Sequence, residues 1–128
     1  MKKLSFVFGV LILISPAIKA QDCKGTNKDE RRVLNLVNSL PEVVRENKFR
    51  KRAHIKSFLR AYIQNTPTKT NDYYSVSISE EKGDRLFTYD WYEVNPHTYV
   101  IRYWDIANTG KTMSLKEWRK QLHNLKKT

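Results

Sequence analysis

Hydrophobic and polar positions follow two different rhythms along this chain. From Asp29 onward, Val33, Leu36, Val37 and Leu40 recur at spacings of three and four, the period of an amphipathic helix. Ser39 and Glu42 match a capping box, and Pro41 falls in the tolerated first turn of a helix. Val43 and Val44 continue an apolar face, and Glu46 stands four residues before Arg50, a favourable pair. The spacing predicts two short helices, or one helix kinked between Ser39 and Pro41. The next stretch, Ala53 to Pro67, fits a helix through Ile55, Phe58, Leu59, Tyr62 and Ile63. Its β-branched and aromatic content, and the turn-rich run after it, favour a strand.

After Asn71 the period becomes two. Tyr74, Val76 and Ile78 face one way, and Tyr73, Ser75 and Ser77 the other. A polar turn carrying Gly83 follows, and Phe87, Tyr89 and Trp91 resume the alternation. Asn95 before Pro96 marks another turn. Tyr99, Ile101 and Tyr103 then alternate with Val100, Arg102 and Trp104, and the chain turns again at Gly110. A last helix is announced by Ser114 and Glu117, a second capping-box match, and by Leu115, Trp118, Leu122 and Leu125 on one face. The expected fold class is α+β: an N-terminal helix packed on an antiparallel sheet of about four strands, with a C-terminal helix.

The rings between Phe87 and Trp104 raise the question of function. A sheet covered on one face hides alternate side chains and wets the rest. Phe87, Tyr89, Trp91 and Tyr99 or Tyr103, or the complementary set, are expected in the core. Tyr92 and Trp104, with Arg102, are expected on the other face as a candidate binding surface, since exposed aromatic patches mark interaction sites. Rings also stabilise cross-strand pairs on open sheets that bind nothing.

The N-terminus changes the picture of where the protein works. Lys2 and Lys3 precede an apolar run from Leu4 to Ile14, and Pro16 and Ala20 complete the pattern of a secretory signal peptide cut after Ala20. The run is about half the length of a membrane span, and Gln21 and Asp22 before Cys23 do not suit lipid attachment. Residues 1–20 are therefore read as a signal, 21–28 as a flexible leader, and 29–128 as a single domain with no transmembrane span. Cleavage would lower the formal charge from +11 to +8. That excess favours acidic partners and also keeps a secreted protein soluble. Cys23 is the only cysteine, which excludes an intrachain disulfide.

The densest cations are Lys48, Arg50, Lys51 and Arg52, followed by Lys56 and Arg60, a candidate patch for an anionic polymer such as lipopolysaccharide or nucleic acid, or for a membrane surface. The same residues suit the C-terminal end of a helix, where the macrodipole favours positive charge. Gly110-Lys111-Thr112 resembles the end of a phosphate-binding loop, but Asp105 stands where its first glycine belongs. The same segment fails as a calcium loop at Ala107, Thr109 and Lys116. His54, His97 and His123 are far apart, and no metal, cofactor or nucleophile motif is present. Asp90, Glu93 and Asp105 would need to converge to serve as an acid–base pair.

The order helix, "YYSVSI", glycine turn, "LFTYDWYEVNPHTYVIRYWD" resembles small secreted domains of the PepSY and cystatin-like kind, with Val94, Pro96, Thr98 and Ile101 matching a strand that follows a turn. The likeness spans roughly Leu34 to Ile106, and the helix around Trp118 departs from it. It implies a non-catalytic binding or inhibitory module and assigns no functional residues. Three expectations follow: a protein-binding module, an inhibitor or immunity-type protein among its forms; a polyanion-binding protein; and a small α+β enzyme. A homodimer through the open sheet face would use the same rings.

Overall fold

The computed structural model describes residues 22–128; the expected signal segment lies outside them. Helix α1 (Lys28–Asn38) is followed by helix α2 (Pro41–Arg52), then by strands β1 (Leu59–Asn65), β2 (Tyr74–Lys82), β3 (Arg85–Val94), β4 (Ile101–Asp105) and β5 (Lys111–Ser114), and by helix α3 (Leu115–Leu125). The five strands pair antiparallel in the order of the sequence, a simple meander. The α+β class read from the pattern is the one observed, with a fifth strand where only a turn was expected. The ambiguous stretch after Ala53 divides into a loop and the edge strand β1.

Two helices form at the N-terminus because the chain stops α1 and restarts at Pro41. Ser39 is the C-cap of α1, where its hydroxyl donates to the Asn35 carbonyl, and α2 begins after Leu40 with no side-chain cap. The Ser39–Glu42 capping box is thus not formed, since the serine is spent on the helix behind it. The N-cap of α1 is Asn27, whose side chain accepts from the Glu30 amide, while the buried Glu30 carboxylate reaches back to Thr26. Ser114 does cap α3, accepting from the Glu117 amide. The leader is tied down at Asp22, which pairs with Ile63 on the outer edge of β1.

All three helices pack on one face of the sheet. Val33, Leu34 and Val37 of α1 and Val43 of α2 meet Ala61, Ile63, Tyr74, Val76, Ile78, Tyr92 and Val94. Trp118 brings in α3: its ring stacks on Tyr103 at 4.4 Å between centroids and meets Tyr92 edge-on at 5.8 Å. Among the described residues no helix or strand lies over the opposite face.

One irregularity decides which rings go where. Ile78 pairs with Asp90 but Ser79 pairs with Thr88, so Tyr89 is the extra residue of a β-bulge in β3. The bulge changes the parity of the strand. Phe87 and Tyr89 share the helix side with Tyr92, whereas Trp91 turns to the open side.

Candidate functional site

The open face of the sheet is built around β2. Ser75, Ser77 and Ser79 form its floor and are buried between larger neighbours. Ser77 lies between Tyr62 on β1 and Trp91 on β3, and Ser75 between Asn65 and Glu93. The floor is hydrogen-bonded along its length: Gln64 donates to the Ser77 hydroxyl, Ser79 donates to Ser77, and Ser79 and Thr88 share a bond of 2.9 Å. Strands two apart in a sheet are about 10 Å apart, and Tyr62 on β1 and Trp91 on β3 wall in the serines between them, which are at most 1 % exposed.

The aromatic wall continues across β4. Trp91 and Trp104 meet edge to face at 5.9 Å, and the Trp104 indole donates to the Gly110 carbonyl at 3.2 Å. Arg102 faces the same side, paired in register with Glu93 on β3 and Ser114 on β5. Burial raises the Glu93 carboxyl above its ordinary value, opposed by the charge of Arg102. At the other wall Tyr62 donates to the Glu81 carboxylate, and burial, with that bond, pushes its hydroxyl up to about 12. The surface therefore carries aromatic rings with Glu93 and Arg102 at one wall and Glu81 at the other.

Of the three residues expected on this face, Trp104 and Arg102 stand on it and Tyr92 does not. Tyr92 is 1 % exposed in the helix-side core, because the bulge at Tyr89 shifts the parity of the residues after it and turns Trp91 outward in its place. Trp91 is a residue of this face that alternation does not name for it, because alternation leaves its side open between two complementary sets. A bulge leaves no mark in a strand whose residues are nearly all aromatic or polar.

The basic cluster is divided by the fold. Lys48, Lys51 and Arg52 are exposed on α2 and Lys56 on the loop after it. Arg60 lies on β1 beside Ser79, towards the open face. Arg50 is withdrawn altogether. It is 8 % exposed, and it donates to Glu46, to the Ser57 carbonyl and to the Glu80 carboxylate. Glu80 in turn accepts from the Ser57 and Tyr89 hydroxyls. Those two bonds, and then Arg50, hold the Glu80 carboxyl at about 2 against the burial that opposes them.

The three carboxylates considered for acid–base work do not converge. Asp90 faces the helices, Glu93 the open side, and Asp105 accepts from Asn108 and Thr109 to close the β4–β5 turn. No group of three His, Cys, Asp or Glu side chains among the described residues gathers as metal ligands, and no described helix is long and apolar enough to cross a membrane. Cys23 is a free, half-buried thiol.

A cleft of about 320 Å³ opens on the helix side, between α2 and β3. Val43, Leu59, Ile78 and Tyr92 give it apolar walls, and Glu42, Glu46, Arg50, Tyr89 and Asp90 its polar groups.

Comparison with protein-family models, with curated proteins and with solved structures returns no match for this chain.

Proposed function

We propose that this chain is a non-catalytic binding module, exported by its N-terminal signal, that takes another protein on the open face of its sheet. An inhibitor or immunity-type protein acting on a partner in the cell envelope is one form of that role. The observation that carries the reading is the Trp91–Trp104 pair beside Arg102, on the face that no described helix covers. Tryptophan and arginine are among the residues most enriched at interface hot spots.

Affinity capture with the chain beginning at Gln21, at low and high salt, tests it. The expected result is one stoichiometric protein retained at high salt, and retained at least about 30-fold less well by W91A/W104A. Unchanged retention by that double variant would overturn the assignment of the face, and capture of the chain by itself would make the face a dimer interface. A polyanion-binding role is favoured by a separate observation. Lys48, Lys51, Arg52 and Lys56 are exposed and, among the described residues, make no ion pair within 4.0 Å. Retention on heparin or anionic vesicles that falls steeply with salt, and is lost when these four become Gln, would establish that role instead.

A further inference from the structure

The cleft between α2 and β3 joins an apolar interior to an unbalanced set of charges. Four carboxylates border it or stand just behind it: Glu42 and Glu46 on α2, Glu80 on β2 and Asp90 on β3. Three are matched. Glu42 receives Arg119 from α3 at 2.6 Å, Glu46 receives Arg50 at 3.1 Å, and Glu80 receives Arg50 with Lys82 at 3.5 Å. Asp90 has no cationic partner among the described residues. Its one hydrogen-bond donor is the Tyr103 hydroxyl at 3.4 Å, the long end of such a bond.

Burial raises the Asp90 carboxyl above its ordinary value, and the charge of Glu42 adds to the effect, while the Tyr103 hydrogen bond works against it. The bulge at Tyr89 is what puts Asp90 here, directly after a ring that leans on Arg50 at 5.6 Å. Bulges commonly re-aim a side chain beside a functional site. An unpaired carboxylate against Tyr89, Tyr92, Ile78, Leu59 and Val43 is the complement of a positive charge on an apolar body. At about 320 Å³ the space suits a ligand of under about ten heavy atoms, at the small end of ordinary ligand cavities.

We propose that this cleft is a binding site for a small organic cation, a primary ammonium on a compact hydrocarbon, with Asp90 as its counter-ion. The site is separate from the open sheet face and does not depend on what that face binds. Cyclohexylammonium and cyclohexanol are the probes, added to the ¹⁵N-labelled chain beginning at Gln21 at neutral pH. Cyclohexylammonium is expected to give saturable amide shifts in α2 and β3, with cyclohexanol binding at least tenfold more weakly. Asp90→Asn is expected to weaken the ammonium tenfold or more and leave the alcohol unchanged. That variant should fold at least as well as the parent, because burial already disfavours the charge it removes. In the parent, affinity for the ammonium should fall as the pH drops through the raised pKa of Asp90. Equal binding of the two probes, an undiminished Asp90→Asn variant, or no saturable shift with either probe would each overturn the proposal.

Discussion

His54 and Tyr99 hold left-handed backbone angles without being glycine, at φ 58° and 56°. His54 ends α2 in a Schellman arrangement: the Ile55 amide bonds the Arg50 carbonyl and the His54 amide bonds that of Lys51. The left-handed residue of that motif is usually glycine, and a side chain there costs about 1 kcal/mol or more. His54→Gly is expected to stabilise the protein by about 1 kcal/mol, read as a rise of roughly 4 °C or more in thermal midpoint. Tyr99 is held differently, with the Arg32 guanidinium 3.8 Å from its ring centre and its hydroxyl 3.3 Å from Asp29. Glu80 gives a pH signature. Its carboxyl titrates at about 2 in the fold, against an ordinary 4.5. Its contribution is complete above the ordinary value and is lost as pH falls towards 2. Denaturant melts across that window should show Glu80→Gln with a shallower loss and a lower plateau at neutral pH. Neither His54 nor the Arg50–Glu80 pair could be read from spacing, since each depends on a geometry that joins residues the pattern keeps apart.

Elements were more legible than their partners. Helical and strand periods located α1, α2, β2, β3, β4 and α3, because each sets apolar residues towards the core and more polar ones away from it. β5 escaped because four residues are too few for alternation to register, and Thr112 and Met113 gave no contrast between faces. The bulge in β3 escaped for a related reason: with Phe87, Tyr89, Trp91 and Tyr92 all aromatic, either parity makes an acceptable strand. Trp118 is the one buried residue of α3, helped by half-buried Leu115 and by the Arg119–Glu42 ion pair to α2. Trp118→Ala removes the ring stacked on Tyr103 and should cost about 3 kcal/mol. The loss should be local first. Amide exchange is expected to accelerate through Leu115–Leu125 while β1 to β3 stay protected, and uniform acceleration across the sheet would show that α3 belongs to the cooperative core.

At the scale of the molecule, the sheet separates two environments. One side carries the helices, the core and the cleft beside Asp90; the other carries the buried serine row and the aromatic wall beside it. Much of the surplus positive charge lies on the helix side, at the end of α2 and along α3. The same partition divides the three tryptophans, Trp118 within the core and the edge-to-face pair Trp91 and Trp104 on the open side. The protein thus carries its own optical reporters, already sorted by location. In a Trp118→Phe background, emission would come only from the open face. A partner settling there would shift its colour and shield it from a dissolved quencher, whereas a cation entering the cleft would leave it untouched.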